Sequence, residues 1–196
     1  IYLLDESGRL NHSSLRKIER LRASGSRPFI FGFTVQIWQA VKQNENETEL
    51  SNLLRDLIVI HGGGWKKIID LNLTKNDFNA AVKAVLGAEK VINYYGMIEQ
   101  VGSIFFECEG GFFHDTEYSK ILVKDPFDFS NSLVGESGLI QTMSTLPKSY
   151  PGHSLLTEDR GIRLEGGCPC GLDSSRFLVE GRWMTAEIRG CSDNSY

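Results

Sequence analysis

The chain has 196 residues, enough for one compact unit or two small lobes with apolar cores. Its 21 basic and 25 acidic residues give a net charge of −4, and scattered basic residues argue against a nucleic-acid partner. No apolar run approaches the ~20 residues that cross a bilayer, so we expect no membrane span. The four cysteines do not suggest a secreted disulfide framework. In a cytoplasmic protein, which we expect this to be, cysteines bind metal, react or pack.

The first half of the sequence predicts helices that alternate with short apolar strands. Helical spacing of apolar residues predicts a helix from Asn11 to Ala23, with Ser13 or Ser14 as its cap. The other predicted helices are 35–42, 48–54 and 77–86, and the predicted strands are 29–33, 57–60 and 90–94. Strands separated by helices indicate a parallel sheet that collects ligands at the strand C-terminal ends.

After about residue 102 the sequence changes to short β-prone runs separated by Gly, Pro and Asp. These runs are 103–106, 121–123, 138–143, 177–180 and 185–188. We therefore expect an α/β plus β fold in two lobes. Residues 1–101 would form an α/β lobe with a partial parallel sheet, and residues 102–196 a β-rich lobe shaped as a small distorted barrel.

Two strand ends of the first lobe carry residue types that suit a flat polar ligand. One has a glycine triplet, Gly62, Gly63 and Gly64, which lets the backbone approach a ligand closely. A glycine triplet alone more often indicates a flexible turn. The other, residues 93–99, offers an amide for a base edge, aromatic rings for stacking and a carboxylate for Mg²⁺. Two such turns at strand ends of one sheet indicate a binding site.

The run Asn93-x-Tyr95-Gly96-x-x-Glu99 resembles the signature of the adenylate-forming superfamily. This superfamily includes acyl-CoA synthetases, peptide-synthetase adenylation domains and luciferases. The resemblance implies that Asn93 contacts adenine, that Tyr95 stacks on it next to Gly96, and that Glu99 coordinates Mg²⁺. Ile98 stands where members usually have Thr, which removes a hydroxyl near the α-phosphate.

Two further motifs match the superfamily in the expected order. Residues 157–161 resemble its Thr-x-Asp-x-Gly motif, and Gly181-Arg182 resembles the Gly-Arg of its hinge. The resemblance implies that Asp159 and Arg182 contact the ribose of ATP. Alone, Asp159 would be interpreted as a solvated turn carboxylate, but the ordered set of motifs favours the ribose.

Within the superfamily, the chain is most similar to the acyl-protein synthetase family of bacterial bioluminescence. The similar segments are 61–67, 95–100, 149–154 and 189–193, and the resemblance covers nearly the whole chain. It implies activation of a fatty acid, or another carboxylic acid, as acyl-AMP, and transfer through a cysteine to an acyl-accepting protein such as a reductase or carrier. The N-terminal half of such enzymes, with its phosphate loop, has no counterpart here, so we expect the isolated chain to be inactive.

Three cysteines and one histidine form a candidate metal site. Cys108 and His114 are separated by five residues, and Cys168 and Cys170 by one. Three thiols and an imidazole suit a closed, structural Zn²⁺ site, although the spacing is not that of a familiar zinc finger. Reduced buried thiols beside a surface histidine are the alternative. Phenylacetate-CoA ligases of the same superfamily show a similar pattern, which supports zinc, and both interpretations stay open.

The remaining cysteine, Cys191, follows Arg189 near the end of the sequence. A nearby cation lowers a thiol pKa and so favours a nucleophile, whereas a small apolar filler is the simpler interpretation of a lone thiol. The surrounding Arg-Gly-Cys-Ser resembles the acyl-accepting segment of the family, which favours the nucleophile. Two other hypotheses stay open: an acyl-CoA ligase of the phenylacetate type and a non-catalytic docking module.

Overall fold

A computed structural model describes residues 1–5, 9–63 and 73–183. The described residues form two compact units, one ending at Asn93 and the other beginning at Tyr94. This boundary lies earlier in the chain than the division at residue 101 predicted from the sequence texture. The reason is that Tyr94 and Tyr95 pair with a strand of the second unit. Within the described ranges, none of the helices combines the length and apolar character needed to cross a membrane.

The first unit is a parallel sheet with helical connections, as the sequence predicts. Its elements are α1 (His12–Ala23), β1 (Phe29–Phe33), α2 (Thr34–Gln43), α3 (Thr48–Leu53), β2 (Ile58–Gly62), α4 (Lys75–Leu86) and β3 (Lys90–Tyr95). Strand β2 lies between β1 and β3 and pairs in parallel with both. Ile60 at the centre of β2 lies opposite Phe31 and Ile92. The C-terminal ends of β2 and β3 are therefore adjacent.

Local side-chain caps set the starts of helices α1 and α4. Helix α1 is capped by Asn11, whose side-chain oxygen accepts hydrogen bonds from the N–H groups of Ser13 and Ser14, so the predicted serine cap is wrong. Helix α4 begins before the predicted Asp77, because Thr74 and Asp77 form a reciprocal capping box. In both helices a short polar side chain satisfies N–H groups that have no partner within the helix.

The core of the first unit is built from the apolar residues that carry the helix and strand periodicity. Fully buried members come from α2, α4, β2 and the loop regions around α3. The buried cluster comprises Ile18, Ile37, Val41, Leu50, Leu54, Leu57, Val59, Phe78, Val82, Leu86 and Ala88. Burial of these side chains from several elements fixes the strand ends that carry the candidate site.

The second unit is dominated by an antiparallel sheet. Its strands are β4 (Phe105–Phe106), β5 (Phe113–His114), β6 (Ser119–Lys124), β7 (Ser137–Ser144), β8 (Ser154–Leu164) and β9 (Arg176–Arg182). Strands β5 to β9 form one sheet in the order β5-β9-β8-β7-β6, and β4 pairs with the end of β3. The pairings of the described residues form this open order, so closure into a distorted barrel stays a prediction. The predicted strand 185–188 lies outside the described residues.

An aromatic cluster forms the core of the second unit. Phe105 and Phe177 are fully buried, and Phe113 stacks on Phe177 with ring centroids 5.3 Å apart. Ile121 and Ile140 complete the same cluster from β6 and β7. Strand β8, the longest of the described strands, was not predicted from the sequence as a strand. Its exposed and buried residues do not alternate cleanly, and it carries a bulge at Arg160/Gly161.

Candidate functional site

Three residues predicted to bind nucleotide lie in one polar cluster of the second unit. The Tyr95 hydroxyl donates a hydrogen bond of 2.9 Å to Oδ2 of Asp159. The Arg182 Nε lies 3.7 Å from the other carboxylate oxygen of Asp159, and its Nη1 lies 3.4 Å from Glu158. The cluster thus places one phenol and one guanidinium around a single carboxylate.

The sheet itself positions this cluster. Asp159 on β8 lies directly opposite Arg182 on β9, an opposite-charge cross-strand pair. The Asp159 N–H donates to Thr157 Oγ1 at 3.1 Å, and that hydroxyl donates to the Ile140 carbonyl at 2.8 Å. The bulge after Arg160 interrupts the regular pairing immediately beyond Asp159, a common feature of strands that orient a functional side chain.

Tyr95 combines an apolar ring environment with a polar hydroxyl. Its ring centroid lies 6.0 Å from that of Phe177, 6.2 Å from Phe113 and 6.3 Å from Phe105. Burial raises the pKa of Tyr95 well above its ordinary value, and the negative charge of Asp159 raises it further. The phenol therefore stays protonated at neutral pH and acts as a hydrogen-bond donor to Asp159.

Glu99 lies on an exposed turn that follows the same strand. It belongs to a short 3-10 helix, Ile98–Gln100, and its side chain is open to solvent. Gly96 precedes this helix, and a Cβ at Gly96 would lie 2.9 Å from the Ser103 carbonyl oxygen, so glycine allows the close return of the chain. Glu99 is therefore accessible to a metal ion from solvent.

In the first unit, the two strand ends predicted to bind adenine are neighbours. Asn93 of β3 is half-buried and pairs in register with His61 of β2, directly before the buried Gly62. Gly63 has φ +86°, and a Cβ there would meet the Phe33 ring at 2.8 Å, so a glycine is needed at this position. Gly64, the third predicted glycine, lies outside the described residues.

His61 and Thr34 form a buried polar pair that sequence reasoning did not identify. The Thr34 hydroxyl donates to the Gly62 carbonyl at 2.9 Å and lies 3.0 Å from His61 Nδ1. Because the single hydroxyl proton goes to Gly62, His61 Nδ1 must carry the proton and donate to Thr34. Burial lowers the pKa of His61 to about 4, and the positive charge of Lys75 adds to this shift. The neutral histidine thus helps to hold the end of β2.

The four predicted metal ligands gather in the second unit. All ligand atoms of Cys108, His114, Cys168 and Cys170 lie within 4.8 Å of one another. The sulfurs of Cys108 and Cys168 are 3.7 Å apart, and Cys170 Sγ lies 3.4 Å from His114 Nε2. The three described cysteines are free thiols. The opposite ring nitrogen of His114 lies 3.1 Å from the Ser174 hydroxyl, which orients the imidazole.

Two turns of the same hydrogen-bond pattern present the thiols. The N–H of Cys108 and that of Cys168 each donate to the carbonyl of the residue four positions later, at 2.8 and 3.3 Å. The carbonyl of each cysteine accepts from a glycine three positions later, Gly111 or Gly171, at 2.9 Å. These glycines have φ +81° and +85°, which other residues adopt with strain. The backbone therefore shapes both halves of the cluster in the same way.

Hydrogen bonds lower the thiol pKa at two of the three sulfurs in the cluster. Burial raises the pKa of the Cys108 thiol, but hydrogen bonds from Phe112 and His114 outweigh this and bring the pKa below its ordinary value. A hydrogen bond from the Leu172 backbone lowers the pKa of Cys170. Burial raises the pKa of Cys168. Thiolates are the form that binds metal.

Cys191, the predicted acyl acceptor, lies outside the described residues.

Of the predicted site residues, the structure brings together Tyr95, Asp159 and Arg182 in one cluster and the three thiols and His114 in another. Gly62, Gly63 and Asn93 lie at neighbouring strand ends of the first unit.

Comparison with solved structures identifies the class of fold. The chain is similar to 2-hydroxyisobutyryl-CoA ligase in an open conformation with 2-HIB-AMP and CoA, with a TM-score of 0.67 and 17% identity over 90% of this chain and 41% of that one. Apo MatB from Rhodopseudomonas palustris gives a TM-score of 0.53 and 16% identity, over 87% of this chain and 33% of that one. The mixed α/β fold is thus similar to the domains of adenylate-forming ligases.

The family follows from the sequence. The family model described as acyl-protein synthetase, LuxE, matches residues 4–195, and the chain belongs to that family. A long-chain-fatty-acid–luciferin-component ligase from Vibrio harveyi is 29% identical over 92% of this chain and 47% of its own length. The ligase of the same name from Aliivibrio fischeri is 26% identical over 82% of this chain and 42% of its own length. The chain spans less than half the length of these curated relatives.

Proposed function

We propose that this chain is the C-terminal part of an ATP-dependent acyl-protein synthetase. The whole enzyme would join a fatty acid, or another carboxylic acid, to AMP and then pass the acyl group to protein thiol. Membership of the acyl-protein synthetase family supports this class of reaction. Because the curated relatives extend well beyond the matched region, we place the phosphate-binding loop in an N-terminal half outside this chain.

The Tyr95–Asp159–Arg182 cluster is the observation that carries the proposal. Asp159 is half-buried, and its carboxylate faces a protonated phenol on one oxygen and a guanidinium on the other. A fixed carboxylate accepts hydrogen bonds from a pair of adjacent hydroxyls, such as those of a ribose. We assign Asp159 and Arg182 to the ribose, Tyr95 and Gly96 to the adenine side, and Asn93 with Gly62, Gly63 and Gly64 to the adenine edge.

Glu99 is proposed as the Mg²⁺ ligand of the ATP-bound enzyme. Its carboxylate is exposed, and Mg²⁺ is commonly held by one or two carboxylates together with substrate phosphates. The ion would offset the charge of the phosphates while the acid carboxylate attacks the α-phosphorus and pyrophosphate leaves. The role of Glu99 is to hold that ion next to the nucleotide.

Cys191 is proposed as the acyl relay. Its thiolate would attack the acyl carbonyl carbon of acyl-AMP, forming a thioester and expelling AMP. A nucleophile of an acyl-accepting protein, such as a reductase or a carrier, would then attack the thioester and release the thiol. The match of the family model to residue 195 includes this cysteine. A cytoplasmic location, where thiols stay reduced, belongs to the same proposal.

We further propose that Cys108, His114, Cys168 and Cys170 hold one structural Zn²⁺. A tetrahedron with Zn–S distances of about 2.3 Å has sulfur–sulfur edges of about 3.8 Å. The observed edge of 3.7 Å between Cys108 and Cys168 fits this geometry, as does the 3.4 Å between Cys170 and His114. Because four protein ligands close the coordination sphere, the ion would stabilise the unit without entering the reaction.

The full-length protein tests the enzymatic proposal. Acid-dependent ATP–pyrophosphate exchange should be present with a long-chain fatty acid and lost in Asp159→Asn, whereas the exposed Asp128→Asn should retain it. Cys191→Ser should keep the exchange but lose a hydroxylamine-sensitive acyl label on the protein. Equal labelling of Cys191→Ser and wild type would contradict the relay.

Two outcomes would favour the other hypotheses. Acyl transfer to added coenzyme A, without an acyl label on the protein, would indicate a phenylacetate-type acyl-CoA ligase. Absence of acid-dependent exchange in the folded full-length protein, across fatty and aromatic acids, would favour a non-catalytic docking module.

A further inference from the structure

The residue after the exposed Glu99, Gln100, has a buried side-chain amide. Gln100 is only 1% exposed, although it directly follows Glu99 in the same short helix. Its Nε2 donates to the Gly152 carbonyl at 2.8 Å and lies 3.4 Å from the Thr142 carbonyl. The side chain therefore connects the turn carrying Glu99 to β7 and to the loop before β8.

The orientation of this amide follows from its partners. Both are carbonyl oxygens, so the NH₂ group must face them, and a flipped amide would place oxygen against oxygen. Among the described residues, the Gln100 Oε1 atom is buried and has no hydrogen-bond partner. Burying an unpaired carbonyl is unfavourable, and an apolar side chain would avoid it. The two hydrogen bonds that the NH₂ group donates are therefore what Gln100 provides and an apolar side chain at this position would not.

Two further contacts fix the same turn. The N–H of Val101 donates to the Tyr150 hydroxyl at 3.0 Å, in the loop that also supplies Gly152. The N–H of Ser103 donates to the Gln100 carbonyl at 3.1 Å, and the buried Ser103 hydroxyl accepts from Ser119 at 3.1 Å. The chain that follows Glu99 is thus anchored at Gln100, Val101 and Ser103, while the Glu99 side chain is exposed to solvent.

We propose that Gln100 is a positioning residue that fixes the backbone of Glu99 so that its carboxylate is preorganised for Mg²⁺. The inference rests on the proposed function, in which Glu99 binds that ion. Residues that orient a metal ligand commonly change metal affinity when they are replaced, even though they do not touch the metal. Tyr150, through Val101, contributes to the same restraint.

The test measures two quantities in the full-length protein: the Mg²⁺ dissociation constant of the ATP-bound protein without acid, and the free Mg²⁺ that gives half-maximal ATP–pyrophosphate exchange at saturating acid and fixed ATP. Gln100→Met keeps the side-chain length and removes both donors, and should raise both quantities about tenfold. Tyr150→Phe removes one hydroxyl from a partly exposed contact and should raise both by a smaller factor, about two- to threefold.

Gln141→Met is the matched control. Gln141 lies in the same unit, donates to the Ser154 hydroxyl at 2.8 Å, and also has an Oε1 without a hydrogen-bond partner among the described residues. The control variant makes the same chemical change in a side chain that is hydrogen-bonded to β8 and not to the turn carrying Glu99, and should leave the Mg²⁺ requirement unchanged. If Gln141→Met raises it as much as Gln100→Met does, the effect is one of general stability and the inference fails.

Glu99→Gln separates this inference from the proposed function. If Glu99→Gln leaves the Mg²⁺ requirement unchanged, the proposed metal role of Glu99 is wrong. If it raises the requirement but Gln100→Met does not, only the positioning role is wrong.

In the Glu99→Gln background, Gln100→Met should add no further increase, since it acts through Glu99, and an additive increase would contradict the inference. Should Gln100→Met not fold, Tyr150→Phe decides, and an unchanged Mg²⁺ requirement in that variant overturns the positioning role.

Discussion

The Tyr95 hydroxyl donates a 2.9 Å hydrogen bond to the Asp159 carboxylate across 64 positions of the sequence. Each residue belongs to a different motif, one at the end of β3 and the other within β8. The hydrogen bond connects these two motifs within the second unit and needs no ligand to form. A hydrogen bond to a charged group contributes about 1.5–3 kcal/mol to stability, so its removal should be measurable.

Tyr95→Phe should therefore lower the free energy of unfolding by about 1.5–3 kcal/mol, because the ring packing is kept and the charge-assisted bond is lost. Urea unfolding of the variant and wild type measures this difference. Tyr118→Phe is the control, since Tyr118 is 56% exposed. An equal loss of unfolding free energy in the two variants would show that the Tyr95–Asp159 hydrogen bond does not stabilise the fold.

Stability should fall as the pH drops from about 6.5 to about 4, in part because of His61. The pKa of His61 is lowered to about 4 in the folded state, mainly by burial, so the unfolded state binds a proton there at higher pH than the folded state does. Above pH 6.5 both states are neutral and the effect disappears. Across the window the loss reaches roughly 3 kcal/mol, at 1.36 kcal/mol per pKa unit.

His61→Asn should remove this part of the acid limb when unfolding free energies are compared between pH 4 and pH 8. The exposed His153→Asn serves as the control and should keep the wild-type profile. Profiles of His61→Asn and wild type that run parallel through the window would contradict a neutral, buried His61.

The purified protein should contain about one Zn²⁺ per chain by elemental analysis. Cys168→Ser should lose most of it, since removing one ligand opens the coordination sphere, and a chelator should lower the melting temperature of the wild type. Cys191→Ser is a matched control, because it removes a thiol that is not among the four ligands. Retention of full zinc by Cys168→Ser would rule out the assigned site.

Gly161→Ala should weaken the pairing of β8 and β9 beside Asp159. A Cβ at Gly161 would lie 2.4 Å from the Leu178 carbonyl oxygen and 2.7 Å from Ile140, so the strands must move apart. We expect a loss of about 1–3 kcal/mol in stability. Gly167→Ala, where a Cβ meets nothing within 4 Å, is the control for thermal unfolding. A melting temperature unchanged in Gly161→Ala would contradict the close approach.

The parallel strands were predictable because their apolar sequence runs match the environment of strands in a parallel sheet. The apolar runs of β1, β2 and β3 match strands of a parallel sheet, where such runs are typical. Strand β8 was not predicted, because its polar residues and its bulge hide the period of two. Asn11 was assigned to the helix rather than to its cap, since cap and first turn share the same residue types.

The site was predictable only in its residue types. The Cys and His pattern indicated one cluster, and the structure gathers those four side chains. The pairing of Thr34 with His61 and of Gln100 with Gly152 had no sequence signal. Both depend on hydrogen bonds between segments that come together only through the tertiary fold.

The cluster of Cys108, His114, Cys168 and Cys170 connects chain segments about 60 residues apart, with β6, β7 and β8 in the loop between them. A metal bound there would crosslink these segments reversibly in the folded state, because a preformed site rarely exists in the unfolded chain. The stability of this unit would then depend on the zinc supply. Above the dissociation constant, each tenfold rise in free metal would add about 1.4 kcal/mol, so zinc starvation would reduce the folded population of the protein without any change in its sequence.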